Sequence, residues 1–328
     1  MQLWSGMHDP IGMGDLSGIK MNVLITDNVN DRVIKSLKEY GFEVEYKPGI
    51  SKDELLGIIG KYDIMIVRSR TKVTAEVIDA GKKLKIIARA GVGLDNIDVN
   101  HAMNRGIAIV NSPRSATYSA AELTIGLMIG VARRINLYNA DIRNGKWSKG
   151  AYEGMELRGK TMGIVGFGRI GKAVAEVGKA MGMKINVTDV IDVEEEASAM
   201  GAQFMDIRDL LASSDVITIH VSLTKDTYHM INGNTLRLIK DNSIIVNTSR
   251  GEVIDSKALL DHLDRLWGVG LDVLEHEPPR DEWEQKITTH PKVLMTPHIG
   301  AETREAQDRI VDELLGNLLE TVKRVVTK

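Results

Sequence analysis

Three ionisable side chains in the second half of the chain, Arg250, Glu277 and His298, each stand shortly after a predicted β-strand. A guanidinium can bind a carboxylate through two hydrogen bonds or polarise a ketone. An imidazole exchanges protons near neutral pH, and a neighbouring carboxylate orients it and stabilises its protonated form. A lone arginine is more often part of a surface ion pair, and a lone histidine is more often structural. Together, the three predict acid/base chemistry on a small carboxylate substrate.

A glycine turn, Gly166-Phe167-Gly168-Arg169-Ile170-Gly171, follows a predicted strand that ends at Val165 and precedes a helical pattern from Lys172 to Met181. In a dinucleotide fingerprint the first glycine permits the tight turn, the second lets the backbone approach a pyrophosphate, and the third lets helix and strand pack closely. The amino end of the helix then faces the anion. The turn therefore predicts a dinucleotide site at Gly166, Gly168 and Gly171. A site for a nucleotide-type methyl donor, or a turn without any ligand, is the alternative.

Asp189 closes the next predicted strand, 18 residues after Gly171. A carboxylate at this place can accept hydrogen bonds from the hydroxyls of an adenosine ribose. The following residues, Val190 and Ile191, are not basic, so they offer nothing that would pair with a 2′-phosphate. The pattern favours NAD over NADP as the cofactor.

The elements that must position these residues form two series, in which short apolar runs alternate with amphipathic stretches. This alternation is typical of βαβ units that close a parallel sheet with helices on both faces. It predicts an α/β fold with two doubly wound domains. The predicted strands of the first series are Val23–Ile25, Val44–Tyr46, Ile64–Val67, Ile86–Ala88 and Ile107–Val110. Those of the second series are Met162–Val165, Lys184–Thr188, Val216–His220, Ile244–Asn247, Gly268–Leu271 and Val293–Met295.

The two series are joined by a stretch with helical periodicity from Ala120 to about Gly145. The preceding Asn111-Ser112-Pro113 is typical of a turn, and we expect a hinge there. A strong helical pattern from Glu302 to Val326 ends the chain.

The composition sets bounds on the class of protein. A chain of 328 residues with 43% hydrophobic and 27% charged residues is globular and long enough for two domains. A formal net charge of -3 disfavours a nucleic-acid binder. The absence of cysteine excludes disulfides, thiolate metal sites and cysteine nucleophiles, and it fits a cytoplasmic protein. We expect no metal and no membrane span, and we expect residues 1–20 to be a disordered leader.

From Met21 to its end the chain resembles the D-isomer-specific 2-hydroxyacid dehydrogenase family. The resemblance covers nearly all of that length and is far more specific than a lone glycine fingerprint. It rests on seven stretches: Val67–Thr74, Ala88–Asp98, Ser119–Thr124, Gly159–Ala175, Asn247–Asp255, Leu271–Pro279 and Thr296–Thr303.

The resemblance implies roles for individual residues. Arg250, Glu277 and His298 fall on the family's catalytic set, and Glu277 is chosen over Glu275 because the family residue directly precedes the proline. The backbone amides of Gly91, Val92 and Gly93 would hold the substrate carboxylate, with Arg68, Arg89 and Arg250 as further substrate contacts. The implied cofactor contacts are the glycines of the turn, Gly166, Gly168 and Gly171, together with Val92, Arg169, Ile170, Asp189, Val221, Thr248, Ser249, Asp272, His298, Gly300 and Ala301.

The resemblance also implies a domain organisation. A flavodoxin-like substrate domain would comprise residues 21–112 and 297–328, so that the terminal helix returns to it. A Rossmann-like NAD domain would comprise residues 113–296, with the active-site cleft between the two domains. A homodimer would form through the NAD domain, with the stretch from Ala120 to Asn144 as its contact. No regulatory domain is expected after residue 328.

Within the family, the chain is most like the branch that oxidises D-3-phosphoglycerate in serine biosynthesis. Arg70 and Lys72 add positive charge that a phosphorylated substrate would need, although a solvated loop explains them equally well. Ala116 departs from the asparagine that this branch usually carries near this position. A glyoxylate or hydroxypyruvate reductase is therefore the alternative. A non-catalytic, NAD-sensing binding protein is an alternative from another class.

Overall fold

The computed structural model describes residues 20–326, so the predicted leader lies outside the described residues except for Lys20. The chain divides into two compact units. Within the described residues, the first comprises residues 20–116 and 304–326, and the second comprises Thr117–Thr303. The chain passes from one unit to the other after Ala116 and again after Thr303. Both points lie a few residues later than the predicted boundaries at 112/113 and 296/297. The segment from Thr296 to Gly300 stays with the second unit because it is hydrogen-bonded to Asp272 and Leu271 of that unit.

The first unit contains a five-stranded parallel sheet in the order β2-β1-β3-β4-β5, which is the flavodoxin-like order. Its sequence supports this arrangement, since strands buried on both faces need continuous apolar runs, and all four residues of β3 are buried. The helices begin at polar caps: the side chain of Asn30 accepts from the Arg32 amide, and that of Ser51 accepts from the Glu54 amide. Numbered in chain order, the strands and helices are β1 (Asn22–Ile25), α1 (Asp31–Glu39), β2 (Glu43–Tyr46), α2 (Lys52–Ile58), β3 (Ile64–Val67), α3 (Ala75–Ala80), β4 (Ile86–Arg89), α4 (Val99–Asn104) and β5 (Ala108–Val110).

The second unit contains a seven-stranded parallel sheet in the order β12-β11-β10-β9-β6-β7-β8. The strand order reverses between β6 and β9, and open parallel sheets bind ligands at the carboxyl ends of the strands beside such a switch point. The elements are α5 (Thr117–Ala132), α6 (Ile135–Arg143), β6 (Thr161–Val165), α7 (Arg169–Ala180), β7 (Lys184–Thr188), α8 (Glu194–Ala199), β8 (Gln203–Phe204), α9 (Ile207–Ser213), β9 (Val216–Ile219), α10 (Gly233–Leu236), β10 (Ile244–Asn247), α11 (Ser256–His262), β11 (Gly268–Leu271), α12 (Glu282–Thr289) and β12 (Val293–Met295). The predicted α/β class with two doubly wound parallel sheets is confirmed.

The stretch from Ala120 to about Gly145, for which helical periodicity is predicted, contains two helices, α5 and α6, with a break between them. The break falls at Arg134, whose backbone has a φ of 56°. The Arg134 guanidinium lies over the Trp267 ring, 4.4 Å from its centroid, and Nη1 donates to the Trp267 carbonyl at 2.7 Å. These tertiary contacts hold the left-handed backbone at Arg134 and so end α5 before α6 begins.

The last helix, α13 (Arg304–Val326), packs on the first unit. Ser112 donates to the Ile310 carbonyl at 3.0 Å, and Asn317 donates to the Asn111 carbonyl at 2.9 Å. None of the helices between residues 20 and 326 combines the length and the apolar character that crossing a bilayer requires.

Candidate active site

The glycine turn joins β6 to α7 in the second unit. Gly166 has a φ of +93°, and a Cβ there would lie 2.7 Å from the His220 carbonyl oxygen, so only glycine suits the position. A Cβ on Gly171 would overlap the Gly166 carbonyl oxygen, which shows how closely α7 approaches the turn. By contrast, a Cβ on Gly168 would meet nothing within 4 Å. The surface beside Gly168, at the amino end of α7 where Arg169 and Ile170 begin the helix, is therefore open to an anion.

Replacement of Gly168 by alanine should separate binding from folding. The backbone at Gly168 has φ -75° and ψ -161°, which alanine can adopt, so we expect an unchanged melting temperature. NAD binding should weaken about tenfold or more, since crowding a close contact costs ~1–3 kcal/mol. Fluorescence titration with NAD measures the effect. Gly57→Ala on α2, where a Cβ also meets nothing within 4 Å, is the matched control. Equal NAD affinities for both variants would contradict the assignment of Gly168.

Asp189 follows β7 and lies at the same turn. One of its carboxylate oxygens accepts from the Phe167 amide at 2.7 Å, and the other accepts from the Ile191 amide at 3.3 Å. The carboxylate is half-buried, whereas Val190 is 91% exposed and Ile191 is 65% exposed. The structure thus holds an acceptor group beside the glycine turn and next to two exposed apolar side chains. This arrangement suits an adenosine ribose with a free 2′-hydroxyl.

The carboxyl ends of β9 and β10 flank the turn. Val221 follows β9 and lies beside Gly166, since its Cγ1 is 3.0 Å from the position of a Cβ there. Thr248 follows β10, and its hydroxyl oxygen lies 2.8 Å from that of Thr124 on α5. The predicted cofactor contacts in this part of the second unit are therefore grouped at one edge of the sheet.

Arg250 lies in a loop that Asn247 holds. The Asn247 side chain is buried, with 1% of its residue surface exposed, and its amide nitrogen donates to the Arg250 carbonyl at 2.9 Å. Its carbonyl oxygen accepts from the Ser249 amide at 3.0 Å and from the Ser249 hydroxyl at 2.8 Å. The Arg250 guanidinium is half-buried and donates to the Ser249 carbonyl at 2.7 Å. Asn247 thus shapes the backbone that carries Arg250.

Glu277 and His298 form a hydrogen-bonded pair. His298 Nδ1 lies 2.7 Å from Glu277 Oε2, and the side chains are 49% and 38% exposed. Glu275, the alternative carboxylate, instead pairs with His229, with His229 Nε2 2.9 Å from its Oε2. With Nδ1 engaged by Glu277, the Nε2 atom of His298 is left for proton exchange with a substrate.

Asp272 at the end of β11 organises the loop that carries His298. Its carboxylate accepts from the Thr296 hydroxyl at 2.6 Å and from the amides of Ile299 and Gly300, both at 2.8 Å, and its carbonyl accepts from the His298 amide at 2.8 Å. His298 has a φ of 55°, a strained conformation that persists only where surrounding contacts fix it. Asp272 supplies those contacts. Ala301, a predicted cofactor contact, is the next residue after Gly300.

The electrostatics favour the protonated imidazole. The Glu277 hydrogen bond raises the pKa of His298, burial opposes it, and the charges of Glu277 and Asp272 raise it further while Arg250 lowers it. The net effect is a pKa above the ordinary value of 6.5. Arg250, Glu277 and His298 thus follow the carboxyl ends of β10, β11 and β12, which are neighbouring strands of one sheet.

In the first unit the substrate-binding candidates cluster around the loops that follow β3 and β4. Asp27, with 3% of its surface exposed, accepts from the amides of Arg68 and Thr71 at 2.7 and 3.1 Å. The Arg89 guanidinium lies against Gly91, where a Cβ would overlap its Nη1 atom. Asn111 donates to the Val92 carbonyl at 2.6 Å, and the Ser112 amide donates to the Gly91 carbonyl at 2.9 Å. Gly93 follows in the same loop. The backbone amides of Gly91, Val92 and Gly93, which are the candidate carboxylate-binding groups, therefore belong to a loop that lies against the Arg89 guanidinium.

The structure adds residues that the sequence analysis did not single out. Asn247 and Glu284 each hold a loop that carries a candidate catalytic residue. Among residues 20–326, one group of side chains has metal-ligand chemistry: His276, Asp281 and Glu284. The Glu284 oxygens already accept hydrogen bonds from three backbone amides. The sequence signal for Glu284 is the Asp-x-x-Glu spacing from Asp281, which is typical of a helix start.

Comparison with known proteins gives consistent matches. A family model described as "D-isomer specific 2-hydroxyacid dehydrogenase, NAD binding domain" matches residues 125–300. A hydroxypyruvate reductase of Thermotoga maritima is 47% identical over 268 residues, which cover 81% of this chain and 87% of that protein. A D-3-phosphoglycerate dehydrogenase of Methanocaldococcus jannaschii is 44% identical over 313 residues, which cover 92% of this chain. The chain spans 59% of the length of that second relative.

The fold also matches solved structures. A crystal structure of a glyoxylate reductase from Paecilomyes thermophila superposes with a TM-score of 0.86 at 31% identity. The match covers 93% of this chain and 96% of that chain.

Proposed function

Because the chain belongs to the D-isomer-specific 2-hydroxyacid dehydrogenase family, we propose that it oxidises D-3-phosphoglycerate to 3-phosphohydroxypyruvate, a step of serine biosynthesis, with NAD as its cofactor. The observation that carries the proposal is the Glu277–His298 pair, in which His298 Nδ1 lies 2.7 Å from Glu277 Oε2, with Arg250 after the neighbouring strand β10. These groups follow strands of the sheet that also carries the glycine turn. The residues present at that turn fit a dinucleotide.

In this proposal each side chain has a defined task. His298 Nε2 takes the proton of the substrate hydroxyl in oxidation and returns it in reduction. Glu277 stabilises the imidazolium that forms and keeps the ring oriented through Nδ1. Arg250 binds the substrate carboxylate and polarises the carbonyl oxygen as it develops. Bound NAD supplies the hydride acceptor.

The basic residues of the first unit support a phosphorylated substrate. Arg68, Arg70 and Lys72 lie in the loop after β3, and Arg89 ends β4. Asp27 fixes this loop through the amides of Arg68 and Thr71. Arg70 is 55% exposed at its side chain, and its Nη2 donates to the Ile50 carbonyl at 3.2 Å. Arg70 Nη1 also lies 3.8 Å from Asp27 Oδ1. Positive charge in these two loops would favour a dianionic phosphate, whereas hydroxypyruvate and glyoxylate carry no phosphate.

A hydroxypyruvate or glyoxylate reductase is the second candidate. The relative named hydroxypyruvate reductase, at 47% identity, favours it, as does Ala116. Steady-state kinetics on the purified chain separate the two candidates. We expect oxidation of D-3-phosphoglycerate with NAD, with a kcat/KM for 3-phosphohydroxypyruvate above those for hydroxypyruvate and glyoxylate. Turnover of the two unphosphorylated keto acids alone would contradict the phosphorylated substrate and favour the reductase.

We also propose a homodimer that forms through α5 and α6 of the NAD-binding unit. Ile135 and Ile142 on α6 are 51% and 52% exposed, and Trp147, which follows α6, is 84% exposed. Exposed apolar side chains of this size often mark protein interfaces. Light scattering of the purified chain should give twice the mass of the 36.2 kDa chain, and a monomer mass would contradict the proposal.

A further inference from the structure

The carboxylate of Glu284 on α12 is completely buried, although glutamate is usually found at the surface. Its Oε1 atom accepts from the His276 amide at 2.9 Å. Its Oε2 atom accepts from the amides of Arg280 and Asp281, at 3.0 and 3.2 Å. The carboxylate therefore ties together the two ends of the segment from His276 to Asp281. Glu277 lies inside that segment.

The contacts of Glu284 keep it ionised. Burial by itself raises the pKa of this carboxyl group, but the hydrogen bonds from the Arg280, Asp281 and His276 amides, together with the His276 side chain, bring its pKa below the ordinary value. The two side chains that face it are His276, whose Nδ1 lies 3.2 Å from both carboxylate oxygens, and the helix-starting Asp281. The ionised carboxylate has two acceptor atoms, so Oε1 can accept at one end of the segment while Oε2 accepts at the other.

Glu277 depends on its backbone for its position. Its side chain is 38% exposed, and its Oε1 atom accepts from the Leu274 amide at 3.2 Å, close to the upper limit for such a bond. Hydrogen bonds to Leu274 and His298 hold the side chain, so the placement of Oε2 opposite His298 depends on where the backbone of the segment runs. The segment in turn is held at both ends by Glu284.

We propose that Glu284 is a positioning residue of the acid/base pair: by fixing the backbone on both sides of Glu277, it keeps Glu277 Oε2 within hydrogen-bond distance of His298 Nδ1. The inference rests on the proposed function, because it assigns Glu284 to the reaction that Glu277 and His298 perform. It differs from a purely structural role for Glu284 in one measurable way. A structural residue alters stability alone, whereas a positioning residue also alters the pH dependence that His298 imposes on the rate.

The test is Glu284→Gln, assayed by reduction of whichever of 3-phosphohydroxypyruvate, hydroxypyruvate and glyoxylate the wild-type chain turns over fastest with NADH. Glutamine keeps the size but has only one acceptor atom, so one end of the segment loses its partner. We expect kcat to fall about tenfold, since small misplacements of reacting groups have effects of this size. KM should change less than kcat.

The pH dependence of kcat/KM distinguishes a positioning role of Glu284 from a purely structural one. Reduction needs protonated His298, so the rate falls as pH rises through the pKa of that imidazole. Glu277, Asp272 and Arg250 are the charged groups that face His298, and Glu284→Gln leaves the last two in place. With Glu277 displaced, the pKa of His298 should fall, and the alkaline limb of kcat/KM should move to lower pH. In a Glu277→Gln background, the second substitution should cause no further shift.

Glu282→Gln on the same helix is the matched control. Glu282 is 78% exposed and pairs with Lys286 at 2.6 Å, so its substitution should leave both kcat and the pH profile unchanged. Should the glutamine variant of Glu284 not fold, Glu284→Asp serves the same comparison, since it keeps the charge but shortens the reach. A Glu284 variant whose pH profile superimposes on that of Glu282→Gln would overturn the inference. Failure of the proposed function is distinct. Turnover of only the unphosphorylated keto acids would overturn the proposed substrate and leave the Glu284 comparison valid, whereas turnover of none of the three, or an active His298→Gln variant, would overturn the proposed reaction.

Discussion

Replacement of His298 by glutamine should lower kcat by about 100-fold or more in both directions of the reaction, the loss expected when a general acid/base is removed. Glutamine occupies a similar volume and can still hydrogen-bond to Glu277, so the loss would come from proton transfer. Stopped assays of NADH formation and consumption measure it. Because Glu277 raises the pKa of His298 in the wild-type chain, reduction should persist to higher pH than an unperturbed imidazole would allow.

His229 provides the matched control for this substitution. It also pairs with a glutamate, at 2.9 Å from Glu275, and it also has a positive φ, of 48°. His229→Gln should therefore disturb the local structure to a similar degree while leaving the acid/base intact. A kcat of His298→Gln within about threefold of wild type would show that this residue is not the general acid/base.

Replacement of Arg250 by glutamine should lower kcat/KM by about 1000-fold, because the substrate carboxylate and the developing carbonyl oxygen both lose a charged hydrogen-bond donor. Arg250→Lys should restore only part of the loss, since an ammonium group cannot make the planar, bidentate contact of a guanidinium. Arg265→Lys is the control for a general effect of replacing an ion-paired arginine by lysine. The Arg265 side chain is 41% exposed and pairs with Asp241 at 2.7 Å. An Arg250→Lys variant with wild-type kcat/KM would contradict a bidentate contact at Arg250.

Most of the sheet architecture could be predicted from the sequence, because strands buried on both faces appear as short apolar runs such as Ile64–Val67. Strand β8 was missed because it has only two residues, Gln203 and Phe204, and neither is fully buried. The break between α5 and α6 was missed for another reason. It depends on the contact between Arg134 and Trp267, which are far apart in the sequence.

The candidate site could be predicted where function is tied to strand ends or to a glycine pattern. The family and its NAD cofactor, both predicted from such stretches, are confirmed. Sequence reasoning did not find Asn247 or Glu284, because both act on backbone amides of nearby loops. Such contacts are hard to predict from a single sequence, since their partners are backbone groups, which nearly every residue has. The roles of the individual site residues remain predictions for mutagenesis.

In the proposed reaction the chain moves a hydride between C2 of a D-2-hydroxy acid and NAD. Incubation with NAD and either D-3-phosphoglycerate or D-glycerate, each carrying deuterium at C2, tests this hydride transfer when the product NADH is examined by mass spectrometry. We expect NADH that is heavier by one deuterium from a D-acid, and no NADH from L-glycerate. Unlabelled NADH, or NAD binding without turnover of either D-acid, would contradict it.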